Sequence, residues 1–231
     1  MSAIDIHSLW INRQSFIDYL STDPSLTTIA CLKDTFIFDQ GQKNRYLYYI
    51  VEGLVKITMT NIRGEEKMLS VLNPGVFINE NSFFLNIDSM ASAQAITNTK
   101  LIRISRSDFK RIAAENSEFT LSMIISMSMK IRILTAQVEY LTFFDNKTHL
   151  AIVIQGLIND FGRKDKSGAI VVDLPTTDQD LANYLGIRRE TVTKILSKFK
   201  AEGILEKKNK RLYIYDHQKL SDMINGLGLS R

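Results

Sequence analysis

Cysteine is almost absent from this chain of 231 residues, Cys31 being the only one. A single thiol cannot close an internal disulfide, and it excludes four-cysteine zinc or iron–sulfur sites. Its neighbours Ala30 and Leu32 are apolar, the setting of a packed thiol rather than of a redox sensor. Histidine is nearly as scarce. His7, His149 and His217 are far apart in sequence and residues 28–105 contain none, so neither a haem pair nor a two-histidine metal centre on neighbouring strands is in view. Long apolar runs are missing as well: none approaches the ~18 residues of a membrane span. The opening MSAIDIHSLW has no basic start followed by an apolar block, so it does not resemble a secretory leader. These absences predict a cytoplasmic protein with no cofactor, no metal and no membrane partner.

What is present is an ordinary globular composition, 45% apolar, long enough for two cores. The net charge of +4 is unevenly distributed. Residues 1–175 hold 18 basic and 18 acidic side chains, whereas residues 176–231 hold 11 and 7. Between Gly186 and Arg211 the count is 9 against 3, a local basic cluster that fits a polyanion-binding module.

The texture changes along the chain. Residues 5–25 are expected to form one or two short helices. From about Thr28 to Ser105, short β-rich runs (TFIF, YLYYIV, LVKITMT, MLSVL, LIRI) alternate with turn residues. Gly41, Gly53, Gly64 and Gly75 recur at intervals of 12, 11 and 11, which fits an antiparallel roll with turns at regular heights. After Ser105 the period becomes helical, with Ser107 as the expected N-cap of a short helix. A long helix then runs from Glu118 to about Asp145. In it Ile124, Met127, Ile131, Leu134, Val138 and Leu141 follow 3-4-3-4-3 spacing, a narrow seam suited to pairing with a second copy of itself. A further helix (THLAIVIQGLINDFG) and a loop and strand closing at Pro175 lead to the last segment.

There the stretch GIRRETVTKILSKFKAEGILE, residues 186–206, is the most informative. Val192, Ile195, Leu196 and Phe199 make one apolar helix face. Upstream, Thr177 and Asp180 fit a capping box, Leu181, Ala182 and Leu185 point inward, and Gly186 ends the helix in a tight turn. Two short helices joined in this way form a helix-turn-helix, and GILEKKNKRLYIYD follows as a wing hairpin with Asn209 near its tip. In such a unit the start of the second helix reaches base edges in the major groove. Arg189 has the planar fork for guanine, Glu190 can accept from cytosine, and Lys194 lies one turn on. Thr177, Thr191, Thr193, Ser197, Lys198 and the wing lysines Lys208 and Lys210 are suited to phosphate oxygens, and Arg188 belongs to the same expected DNA-binding surface.

Over nearly its whole length the sequence resembles the Crp/Fnr superfamily of bacterial transcription regulators. IRRETVTKIL is similar to that family's recognition helix, with Lys194 where an arginine is usual, and FDQGQKNRYLYYIVEGLVKI and LSVLNPGVFINE resemble its nucleotide-binding-type roll. The resemblance implies an α+β fold in three parts. Residues 1–116 would form N-terminal helices and an antiparallel, cyclic-nucleotide-binding-like β-roll sensor. Residues 117–145 would be a dimerisation helix, and residues 146–231 a winged helix-turn-helix. It also implies a homodimeric, non-enzymatic regulator on a pseudo-palindromic duplex, with an effector in the roll, and RNA polymerase as a partner if it activates.

The departures bear on the effector. Cyclic-nucleotide binders of this family carry G-E-x-x-L and then R-S/T-A. Here Glu80 is kept, but Asn79 replaces the glycine, and Met90 and Ala91 stand where the phosphate-binding arginine and its neighbour would be. No basic residue lies between Lys67 and Lys100. Leu134 occupies the place of an adenine-contacting threonine, with Thr135 beside it. The effector pocket is therefore expected around Asn79, Glu80, Asn81, Met90, Ala91, Leu134 and Thr135, with Phe83, Phe84 and Tyr140 completing its lining. Such a pocket suits a small neutral or aromatic molecule, or is filled by its own side chains. The alternative is a cAMP-responsive regulator with an altered pocket.

Overall fold

The computed structural model describes residues 13–166 and 168–225; His7 lies outside them, as do the side chains of Tyr140 and Leu141. The chain divides into two compact units, with the break between Ala136 and Gln137.

The first unit opens with helix α1 (Arg13–Thr22) and continues through strands β1 (Thr27–Cys31), β2 (Phe36–Phe38), β3 (Leu47–Glu52), β4 (Val55–Thr60), β5 (Glu66–Leu72) and β6 (Phe77–Ile78). Helix α2 (Glu80–Leu85), strands β7 (Ser92–Ala95) and β8 (Thr99–Ile104), helix α3 (Arg106–Glu115) and the 27-residue helix α4 (Ser117–Phe143) follow. The strands form two antiparallel sheets, β1-β8-β3-β6 and β2-β7-β4-β5, so the expected roll is present. Strand β3 shows why it holds together. Leu47, Tyr48, Tyr49 and Ile50 are all buried because both faces of the strand are covered. Leu47 and Tyr49 join Phe16, Phe77, Phe119 and Met123 under the helices, while Tyr48 and Ile50 join Phe38, Val55 and Leu101 between the sheets. Gly53 has φ +88°, and a Cβ there would sit 2.5 Å from the Asn98 carbonyl oxygen, so this turn tolerates no side chain.

Local signals were correct in kind and shifted in detail. The N-cap of α3 is Ser105, not Ser107: Asp108 lies three residues after Ser105 and completes a capping box with it. Strands β1, β6 and β7 and helix α2 lie outside the sequence expectation. Two strand residues give no periodicity, and Phe83 and Phe84 mask a single helical turn.

Helix α4 divides its faces sharply. Phe119, Met123 and Ser126 are buried in the first unit, whereas Ile124, Met127, Ile131, Leu134 and Val138 are 55%, 40%, 63%, 49% and 64% exposed. The seam therefore does not pack on its own roll. The expectation that nothing approaches a membrane span needs correction: Ser117–Glu139 is long and apolar enough by length and composition. Its serines break every continuous apolar run yet lower the hydropathy little.

The second unit contains α5 (Asn146–Phe161), β9 (Gly162–Lys164), β10 (Ile170–Val172), α6 (Asp178–Leu185), α7 (Arg189–Ala201), β11 (Leu205–Lys208), β12 (Arg211–Ile214) and α8 (His217–Asn225). One antiparallel sheet, β11-β12-β10-β9, packs with the helices around Leu150, Ile154, Leu181, Val192, Phe199, Leu212 and Leu220. The expected loop and strand before Pro175 form a hairpin, β9–β10. Helix α8 is an addition.

Candidate nucleic-acid interface and roll interior

Helices α6 and α7 are joined at Gly186, which has φ +73° and donates its N–H to the Ala182 carbonyl. The stripe Val192, Ile195, Leu196 and Phe199 is buried, at 8% exposure or less. This fixes the opposite face outward. Arg188 is the N-cap of α7 and Arg189 its first residue, and both are exposed, as are Glu190, Thr193, Lys194, Ser197 and Lys198. Thr191 is half-buried. The basic residues and Glu190 thus share one solvent-facing surface at the start of the helix.

The hydroxyls on this surface are engaged within the unit. Thr177 accepts from the Asp180 N–H at 3.0 Å and donates to its carboxylate at 2.6 Å, closing the expected capping box. Thr193 donates to Asp178 at 2.6 Å, with the Arg189 carbonyl at 3.1 Å, and Ser197 donates to the Thr193 carbonyl at 2.8 Å. Asp178 also receives Lys207. Burial works against its ionisation, but the hydrogen bonds from Lys207 and Thr193, with the charges of Lys207 and Arg189, hold its pKa below the ordinary carboxylate value.

The wing is the β11–β12 hairpin, turned at Asn209 and Lys210, with φ of 50° and 62°. Two consecutive positive φ values are those of a type I′ turn, whose twist matches the strands. Lys208 is paired with Glu206 at 2.6 Å and Lys210 is exposed at the tip. Lys200 also reaches Glu206 at 2.6 Å, and these two lysines hold the Glu206 pKa down to about 2.

The roll interior differs from its sequence expectation in one respect that matters. Glu80 does have a basic partner, from far along the chain: Lys130 on α4 lies 2.5 Å from its carboxylate and 2.5 Å from the Phe77 carbonyl. The Glu80 side chain is 8% exposed and that of Lys130 26%. Burial pushes the Lys130 pKa down, opposed by Glu80. Asn79 stands in for glycine geometrically, at φ +73°. Its side-chain amide donates to the Tyr46 carbonyl at 2.8 Å and accepts from the Ser89 hydroxyl at 3.3 Å. The buried Asn44 bonds the Tyr48 hydroxyl at 3.0 Å. Of the other expected lining residues, Asn81, Met90, Leu134 and Thr135 are exposed, Ala91 is half-buried, and Phe83 is buried against Phe84 and Phe109. Thr135 donates its hydroxyl to the Ile131 carbonyl at 2.9 Å. Asn44, Tyr48, Ser89 and Lys130 are among the interior groups that the sequence does not single out.

A family model described as a cyclic nucleotide-binding domain matches residues 29–116, and one described as a Crp-like helix-turn-helix domain matches residues 150–223. The chain is 26% identical over 185 residues to the CRP-like cAMP-activated global transcriptional regulator of Mycobacterium tuberculosis, covering 80% of this chain and 82% of that protein. It is 27% identical over 184 residues to the cAMP-activated global transcriptional regulator CRP of Escherichia coli, covering 79% and 86%. The fold also matches a CooA mutant from Carboxydothermus hydrogenoformans, with a TM-score of 0.75, 22% identity and 90% of each chain covered. A roll followed by a long helix and a helix-turn-helix, with both modules matched in that order, leaves one assignment: the chain belongs to the Crp/Fnr superfamily and is a transcription regulator with a DNA-binding helix-turn-helix, not an enzyme.

Proposed function

We propose that this regulator binds a pseudo-palindromic duplex as a homodimer, with α4 as the seam, and that a cyclic nucleotide is not its effector. The observation that carries the reading is the exposed surface at the start of α7, where Arg189, Glu190 and Lys194 stand free of the core. Arg189 and Glu190 match a guanine and a cytosine edge, and Lys194 reaches a guanine or a phosphate. Lys198 and Lys210 add charge for the backbone. Two copies related by a two-fold would place two such helices about one helical turn apart on one face of the duplex. An exposed apolar face as long as that of α4 supports the pairing. An activator of this kind would also meet RNA polymerase.

For the effector, the decisive groups are Glu80 and Lys130. An incoming cyclic phosphate would find Met90 and Ala91 in place of a cation, and Lys130 could serve it only by abandoning its buried partner Glu80. The polar groups Asn44, Tyr48, Asn79 and Ser89 satisfy one another, which favours a roll filled by its own side chains or a small neutral ligand. The M. tuberculosis and E. coli relatives are named as cAMP-activated, so the cAMP-responsive alternative is tested directly. Gel-shift titration of a duplex selected from a random pool, with and without cAMP or cGMP, should show sequence preference that neither nucleotide alters. Micromolar cAMP that strengthens duplex binding would overturn the effector reading, and equal affinity for selected and scrambled duplexes would overturn the DNA reading.

A further inference from the structure

The first residue of α6, Asp178, sits between two elements of the proposed DNA surface. One carboxylate oxygen accepts from the Thr193 hydroxyl of α7 at 2.6 Å, and the other accepts from the Lys207 ammonium of β11. The Asp178 and Lys207 side chains are 19% and 21% exposed, so this contact is shielded from solvent more than the other wing pairs. Its role is not capping. The α6 N-terminus is already capped by Thr177 with Asp180, whose carboxylate takes both the Thr177 N–H at 2.8 Å and its hydroxyl. Asp178 therefore places a negative charge on a surface otherwise suited to a polyanion, and does so where Arg189 feels it.

We propose that Asp178 is a specificity-determining positioning residue: it clasps the recognition helix to the wing and withholds Lys207 from phosphate, so that binding depends on base reading. Attraction between lysine and phosphate is independent of sequence and strengthens every duplex alike. A lysine held by a carboxylate contributes little to that common term. The clasp links β11 to α7 through one side chain of α6, beside the more exposed Lys200–Glu206 pair. The proposal rests on the DNA-binding reading above.

The test uses the full chain, a duplex that the unaltered protein selects from a random pool, and a scrambled duplex of the same composition, with affinities measured across a salt series. Asp178→Asn keeps the shape and an acceptor for Thr193 but frees Lys207. We expect tighter binding to the scrambled duplex, a smaller ratio of selected to scrambled affinity, and a plot of log affinity against log salt steeper by about 0.9 for each protomer. Over a fourfold rise in salt, that slope corresponds to about a three- to fourfold additional loss for each protomer. Asp178→Glu should restore the ratio and the slope. Lys207→Met in the otherwise unaltered protein should leave the slope nearly unchanged, and this variant decides the matter should Asp178→Asn fold poorly. A merely structural role would lower affinity for both duplexes at constant slope, and that outcome overturns the proposal. So does a slope that flattens by about 0.9 in Lys207→Met, which would show Lys207 already on phosphate. Failure of the unaltered protein to prefer any duplex removes the DNA-binding reading itself, and is recognised before any variant is made.

Discussion

In the roll, a lysine is drawn inward: Lys130 leaves the surface of α4 to meet Glu80 at the start of α2 and the Phe77 carbonyl of β6, where the carboxylate is almost fully enclosed. On the wing of the helix-turn-helix unit two cations stay near solvent and one acid comes out to meet them, Glu206 between Lys200 and Lys208. The two arrangements use the same residue types with different consequences. Separating a buried pair strands a charge in a poorly polarisable interior, whereas an exposed lysine exchanges a carboxylate for another anion at little cost. The first suits a fixed joint and the second a surface that meets phosphate.

The largest change should come from placing a charge on the face of α4 that carries none. Ile131→Glu or Leu134→Glu would set like charges against each other across the proposed seam, at several kcal/mol when desolvated. Sedimentation should then show monomers with roll circular dichroism intact, and dimers retained in both variants would place the seam elsewhere. Next is Lys130→Met, which leaves Glu80 buried without its cation and should destabilise the roll by about 3–5 kcal/mol in denaturant unfolding. Adding Glu80→Gln should recover most of that loss. A cost below about 1 kcal/mol for the single change would mean that the pair behaves like a surface one, erasing the contrast between the two regions. The smallest effect is expected at the exposed surface: Arg189→Ala should weaken binding by about 1–3 kcal/mol per half-site and relax discrimination at one base pair. Uniform weakening across all sequences would instead assign Arg189 to the phosphate backbone.

What was legible in the sequence was local. The Thr177–Asp180 box, Gly186 and the stripe from Val192 to Phe199 each depend on residues within two turns of one another, and all three stand as expected. The same holds for the five β-rich runs and for α4, whose limits moved by one or two residues. The partnership of Lys130 with Glu80 spans 50 residues, and no periodicity announces a contact at that range. The committed hydroxyls of Thr193 and Ser197 escaped for a related reason. Composition shows that a side chain can donate, but only the folded neighbourhood shows to what it does. Ser107 is the expected cap of α3, but Asp108 lies three residues after Ser105 and closes the capping box there.

Lys130 and Ile131 are adjacent on α4, one directed to the carboxylate of Glu80 and the other standing 63% exposed on the proposed seam. Successive residues of a helix are set about 100° apart around its axis and cannot turn separately. Any roll of α4 that carried the ammonium away from Glu80 would sweep Ile131 sideways by the same angle. The helix is thus an axle with a pin through it: while the pin is seated, the angular setting of the apolar face is inherited from the interior of the roll.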